Sequence, residues 1–412
     1  MHGGKTILSV EIAGLAIPCE EPLVRARARR VLTIGIPAEN PEEETRLALT
    51  PQGVEVLVAQ GHRVIYEREA GKLSRFSDEQ YASVGAEITD SHKEAMSADI
   101  VVRVSPPTEA EVSEMREGQT VACIVGRNTR GVGSFRMMAS KGVTLIAIDE
   151  ISEPDTDKAE RGVTTDPTLT RCLGELEGQV AIGVASELLL TSGEGKGIII
   201  GGVTGVPPTE VVILGSDMAA YCAARYALAL GSNVKVFDTD HSRLQSMSWQ
   251  MGCRFFTSIL HPQALTKAFR SADVIIGTHR STSDKRAFCA PREYMGLLKR
   301  GAVLIDLDSS ECGCTETVRP TTLARPTYVD GGVIHHCLPD ITVLSAHTST
   351  IVISDVVTPL VSSIAEAGGV DSAVRYSRAL QEGVAMYHGT TTSKHLARRT
   401  GAEHFDIRLL II

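Results

Sequence analysis

The stretch VVILGSDMAAYCAARYALALGSNVKVFDTD, residues 211–240, has the order that a phosphate-bearing ligand needs. An apolar strand over 211–214 runs into Gly215, a helix-forming segment follows, and a second strand over 234–237 ends on Asp238. An acid roughly 20 residues beyond such a turn is placed to accept a hydrogen bond from a ribose hydroxyl, as in dinucleotide-binding βαβ units. The G-x-G-x-x-G turn of those units uses its second glycine for close approach to the pyrophosphate and its third for helix–strand packing. Here those two positions are Asp217 and Ala220. One methyl at Ala220 is a small change. Asp217 puts a carboxylate where a helix N-terminus receives an anion. Two unit charges about 4 Å apart at an effective dielectric near 20 repel by about 4 kcal/mol, roughly a thousandfold in affinity. The alternative is that Asp217 caps the helix, which aspartate does well. Either way the phosphate slot is compromised, and NAD binding is expected to be weakened.

Two further groups carry potential chemistry. Asp306, Asp308 and Glu311 crowd beside Cys312 and Cys314, and His335, His336 and Cys337 form a second cluster. C-x-C with a distant H-H-C lacks zinc-site spacing, so buried structural thiols are the expected reading and no metal site is assigned.

The elements that must hold these residues alternate strand and helix from Val31: VLTIGI, a helix opened by Thr50 and Pro51, RVIYE, helices near Ser77 and Thr89, IVVRV, TVACIV and VTLIAI. Such alternation predicts a parallel sheet covered by helices. A polar, proline-bearing stretch at 149–168 predicts a domain boundary, followed by a helix over about 175–190. Strands recur at FFTSI, ADVIIGT, AVLIDLD and VIHHC. Two apolar segments, STIVISDVVTPLVSSIAEAG and DSAVRYSRALQEGVAMYHG, are read as helices that return to the first domain. The expected fold is α/β, with two doubly wound parallel-sheet, Rossmann-like domains and a cleft between them. Residues 1–30 form an N-terminal extension, 31–168 plus 346–412 one domain, and 169–345 the nucleotide-type domain.

A chain of 412 residues with 43% hydrophobic and 22% charged residues is ordinary for a globular protein of more than one domain. A formal net charge of −9 and no dense basic block argue against nucleic acid or an anionic membrane as partner. The cluster RARARR at 25–30 reads as a solvated connector. No uninterrupted run of 18 apolar residues appears, and the first 21 residues lack a convincing cleavage site. Nine scattered cysteines fit reduced thiols. A cytoplasmic protein is expected.

The block IGIPAENPEEETRLALTPQGV, the segment GGVTGVPP, the run GAVLIDLDSSECGCTETVRPTT and HTST at 347–350 together resemble the alanine dehydrogenase and transhydrogenase alpha-subunit family from about Val31 onward. The resemblance implies a two-domain subunit of a homo-hexamer that reduces NAD while deaminating L-alanine to pyruvate and ammonia, with a small amino or keto acid in the cleft. Arg46 matches the family arginine that binds the substrate carboxylate, and a guanidinium fork suits that task; the alternative is an ordinary surface salt bridge. The family lysine aligns with Ser105, the catalytic histidine with Gly126, and the acid at the cofactor edge with Ser310. Arg127 and Arg103 lie beside the altered positions and are read either as a cationic site for a carboxylate ligand or as solvated surface arginines; arginine binds anions but does not act as a base. Cys314 and Cys337 align with cysteines of non-metal relatives.

Deamination needs a base of near-neutral pKa, which histidine or lysine supplies. Glycine and serine do not replace them, so ordinary alanine dehydrogenase activity is expected to be absent or severely reduced. The alternative is a non-catalytic member, either a small-anion sensor using Arg46 or an oligomeric scaffold.

Overall fold

A computed structural model describes residues 31–126, 131–152, 167–191, 193–278, 288–309 and 313–411. The first sheet contains β1 (Thr33–Ile36), β2 (Arg63–Glu67), β3 (Glu87–Thr89), β4 (Ile100–Val102), β5 (Thr120–Cys123) and β6 (Thr144–Ala147). These six strands are parallel, in the order 6-5-4-1-2-3. The second sheet repeats that order with β7 (Glu210–Leu214), β8 (Asn233–Asp238), β9 (Phe256–Ile259), β10 (Val274–Gly277), β11 (Val303–Asp306) and β13 (Val333–His336). β12 (Thr327–Asp330) pairs antiparallel to β13 at the edge.

Each sheet is therefore doubly wound about a point where the strand order reverses, between β1 and β4 in one and between β7 and β10 in the other. Ligands of such sheets bind outside the carboxyl ends of the strands at that point. The central strands are continuous buried runs, such as Ile100–Val102 and Val274–Gly277, because helices cover both faces. Close cover has a local cause at Gly35, where a Cβ would lie only 1.9 Å from the carbonyl oxygen of Ala95.

The expected helix behind the boundary begins earlier, spanning Thr168–Leu188. Leu169 and Leu173 belong to the core of the first sheet, whereas Ala181, Ile182 and Ala185 belong to that of the second, so one helix joins both cores. Gly178 allows it to lie against the Met218–Ala229 helix, since a Cβ there would sit 2.4 Å from the Ala219 carbonyl oxygen. The helical stretch Ile341–Glu366 is long and apolar enough to cross a membrane. Here Ile353, Val357, Val361 and Ile364 are fully buried in the first core.

Two sequence expectations are corrected. Residues 87–89 form strand β3, and the helix expected near Thr89 starts at His92, capped by Ser91. The final segment is not one helix: Val370–Tyr376 and Arg378–Gly383 are short helices, after which β14 (Val384–Tyr387) pairs antiparallel with β6. β15 (Thr390–Thr391) closes that edge. A short apolar run such as VAMY carries no period that separates strand from helix, and the open edge of β6 decides it. Both sheets remain doubly wound and parallel apart from these antiparallel edge strands.

Candidate functional site

The first half of the site hangs from the carboxyl ends of β1 and β4. The loop after β1 carries Glu39, Glu44 and Arg46, and it is pinned from the far end of the chain. Thr350 Oγ1, in the HTST segment, accepts from Leu47 N at 3.0 Å, and His347 Nδ1 lies 2.8 Å from the Ser74 carbonyl oxygen. Thr50 then caps the Pro51–Ala59 helix by accepting from Gly53 N.

Arg46 reaches the cleft but is 3% exposed. Its Nε and Nη2 donate to the two oxygens of Glu44, both at 2.7 Å, and Nη1 donates to Asp340 at 2.8 Å and to Thr342 Oγ1 at 2.5 Å. The two carboxylates push the guanidinium pKa still higher against the opposing effect of burial. The cation expected to grip a substrate carboxylate is thus held by two carboxylates of the protein itself.

Arg103 does not supply a free cation to the cleft, as the sequence reading allowed. It is 2% exposed, with Nη2 3.0 Å from Glu39 and Nη1 2.8 Å from Glu111. Glu39 Oε1 also accepts from Val104 N at 2.6 Å and Ser105 N at 3.3 Å, which fixes the backbone at Ser105. Burial raises the Glu39 pKa, with Arg103 opposing. The chain of charges continues through His92, whose Nε2 lies 3.1 Å from Glu111 and Nδ1 2.7 Å from Glu67. Hydrogen bonds to Glu111 and then Glu67 raise its pKa to about 9. Sequence spacing did not reveal these acids, because Glu39, Glu67 and Glu111 come from three elements that only the sheet brings together.

At the end of β5, the backbone N–H groups of Val125 and Gly126 donate to Asp149 Oδ1 and Oδ2 at 2.9 and 2.8 Å. A Cβ at Gly126 would lie 2.9 Å from Asp149 Oδ2. Asp149 was read only as part of a boundary, although its place at the carboxyl end of a central strand is a signal for the cleft. Its neighbour Glu150 is pushed up to about 7 by burial and then by the charge of Asp149. Arg127 and Ser310, together with Glu311 and Cys312, lie outside the described residues.

The second half begins at Gly215, whose φ of 125° makes the turn out of β7. Ser216 Oγ donates to Asp238 Oδ2 at 2.5 Å, and Asp240 N donates to Asp238 Oδ1 at 2.9 Å. Asp217 caps the following helix, its Oδ1 accepting from Ala220 N at 2.9 Å. Of the two readings of Asp217, the cap is the one observed. Asp238 and the Gly215 turn fit a ribose-bearing cofactor. The Asp217 carboxylate occupies the N-terminus of the following helix.

The cysteine and histidine clusters have structural partners. Asp306 Oδ2 accepts from Cys314 N at 2.6 Å, and His335 lies 2.9 Å from Thr317 Oγ1 and stacks on Tyr328. Burial raises the Cys314 thiol pKa and pushes that of Cys337 up to about 12, so both stay protonated.

Between the sheets lies a cavity of about 370 Å³. Glu42, Glu43, Glu44, Arg46 and Ser105 line it from the first, and Pro320 to Leu323, Leu338 to Asp340 and Val343 from the second. Residues 35–161 match the model "Alanine dehydrogenase/PNT, N-terminal domain", and residues 181–394 match "Alanine dehydrogenase/PNT, C-terminal domain". The chain belongs to the alanine dehydrogenase/PNT family. The alanine dehydrogenase of Mycolicibacterium smegmatis is 32% identical over 368 residues, 89% of this chain and 96% of the relative. That of Bacillus subtilis is also 32% identical, over 90% of this chain and 96% of its own. A solved L-alanine dehydrogenase superposes with a TM-score of 0.80 at 27% identity, over 90% of this chain and 99% of that one. A transhydrogenase from Sinorhizobium meliloti shares the fold, with a TM-score of 0.69 at 20% identity.

Proposed function

We propose that the chain is an alanine dehydrogenase-like oxidoreductase whose ordinary reaction, NAD-dependent deamination of L-alanine to pyruvate and ammonia, is severely reduced. The observation that carries this reading is Arg46, four of whose five N–H donors are committed to Glu44, Asp340 and Thr342. A bidentate grip on a substrate carboxylate needs two of them free. Ser105, which lines the same cavity, and Gly126, beyond the end of β5, offer neither cation nor base. Loss of one general acid or base typically removes about 10²- to 10⁴-fold of rate.

NAD belongs to this reading through the family, with Gly215 and Asp238 on its adenosine side and Asp217 opposing its phosphates. A second reading, a non-catalytic oligomeric scaffold, is favoured by the Asp217 cap. Either form is proposed as a cytoplasmic homo-hexamer, with residues 31–168 plus 346–412 as the substrate-type domain and 169–345 as the nucleotide-type domain.

NADH titration tests both readings. Trp249 is 75% exposed on the helix that follows Asp238, so energy transfer to bound NADH reports occupancy, and calorimetry confirms it. Micromolar binding with residual turnover supports the weakened enzyme, and no binding at millimolar NADH supports the scaffold. Alanine turnover at ordinary enzyme rates would overturn both.

A further inference from the structure

Residues 372–412 carry six Lys/Arg against three Asp/Glu, a formal charge of +3, in a chain whose net charge is −9. Part of that excess converges on a second cavity, of about 300 Å³, beside the sheet edge that β14 and β15 close. Arg378 enters it from the Arg378–Gly383 helix, Lys394 from the Lys394–Thr400 helix, and Arg408 with His404 from the segment around the Ile407–Leu409 turn. Glu382 and Asp406 are the acids of the lining, and none of these residues lines the cavity between the sheets. We propose that this pocket is a binding site for a small phosphate monoester.

The hydrogen bonds inside the pocket leave its donors in surplus. Arg408 donates to Asp406 through Nε at 2.9 Å and Nη2 at 2.5 Å, which fixes the guanidinium plane and leaves the Nη1 donors unused. Glu382 accepts from Ser152 Oγ at 2.5 Å, and its other oxygen lies 3.9 Å from Arg378 Nε, beyond hydrogen-bond length. The Arg378 guanidinium and the Lys394 ammonium have no hydrogen-bond acceptor among the described residues. Unused donors thus come from three separate elements, with three permanent cations against two carboxylates that already accept hydrogen bonds. A phosphoryl group brings three acceptor oxygens and close to two negative charges near neutral pH, so each oxygen can meet a different cation. A carboxylate brings two oxygens and one charge. The cavity falls at the small end of ligand sites, and buried Ile407 gives it apolar surface for a short carbon chain. The positive charge of the surrounding segment raises the local concentration of anions.

The test is calorimetric titration of the full chain near neutral pH and at low salt with glycerol 3-phosphate, inorganic phosphate and acetate. Glycerol 3-phosphate is expected to bind at least about tenfold tighter than acetate and to weaken as salt rises. Inorganic phosphate is expected to bind within about tenfold of the ester, since the phosphoryl group carries the recognition. Lys394→Gln and Arg378→Gln change exposed side chains, so the core stays intact, and each is expected to lower affinity by about fivefold. Glu382→Gln removes a carboxylate while keeping an acceptor for Ser152, and is expected to raise affinity. Acetate binding as tightly as the ester overturns the assignment, as does the absence of phosphate binding at tens of millimolar. Phosphate binding that neither Lys394→Gln nor Arg378→Gln changes places the anion elsewhere, for example at the Gly215 turn, and overturns it equally. The weakened-dehydrogenase reading stands or falls separately, through NADH binding and alanine turnover, because the two cavities share no lining residue.

Discussion

Asp340 Oδ2 lies 2.8 Å from Arg46 Nη1, so an ion pair with both side chains nearly inaccessible to water ties the loop after β1 to the segment after β13. It holds the Arg46 guanidinium inside the wall of the inter-sheet cavity. Removing one partner of a buried pair leaves an uncompensated charge, which costs about 3–5 kcal/mol. Arg46→Ala removes the buried guanidinium from both Glu44 and Asp340 and is expected to lose about that much stability. Chemical denaturation measures it, and a loss below about 1 kcal/mol would show that water reaches these groups.

Asp217→Gly is expected to raise NADH affinity while leaving stability nearly unchanged. The variant removes a carboxylate from the helix N-terminus, and replacing a capping aspartate by glycine costs only a few tenths of a kcal/mol, about a tenth of the electrostatic gain sought. Calorimetry that finds equal or weaker binding in the variant counts against Asp217 as the obstacle.

Ser105→Lys combined with Gly126→His is expected not to restore alanine turnover. The nucleotide turn stays altered, and Arg46 stays paired. A β-carbon at residue 126 also meets Asp149 Oδ2 at 2.9 Å, which disturbs the carboxylate that holds the Val125 and Gly126 backbone. Measurable deamination by the double variant would refute this.

His336 is 3% exposed, and burial lowers its pKa from 6.5 to about 4. The unfolded chain therefore binds a proton near pH 6.5 that the folded chain takes up only near 4. Stability from this site is complete above pH 6.5 and falls as pH drops toward 4, with a ceiling of about 3 kcal/mol. Denaturation midpoints between pH 7 and 4.5 measure the slope, and His336→Leu is expected to flatten it. An unchanged slope would place the acid sensitivity elsewhere.

Much of the fold was legible because parallel strands buried on both faces leave unbroken apolar runs. VVIL, VIIG and VLID could be read at once. β3 and β14 could not, because three or four residues carry no period and their pairing depends on a neighbouring edge. At the site, Asp217 was legible as a helix cap from its position just before MAAYCAARYALA, since capping is a local interaction. Arg103 was misjudged because strand alternation gives the face of a side chain but not what waits there.

Local chemistry, which the chain order carries by itself, determined the two-sheet α/β class, the family, the altered glycine turn, and the absence of lysine and histidine at positions 105 and 126. The tertiary structure alone decided the charge state of the cleft. Glu39 and Glu111 meet Arg103 from separate elements, and Asp340 meets Arg46 across 294 residues of chain. Coulomb interactions depend on distance and burial rather than on sequence separation, so the pairing of Arg103 appears only once the first sheet assembles, and that of Arg46 with Asp340 only once the two sheets face each other.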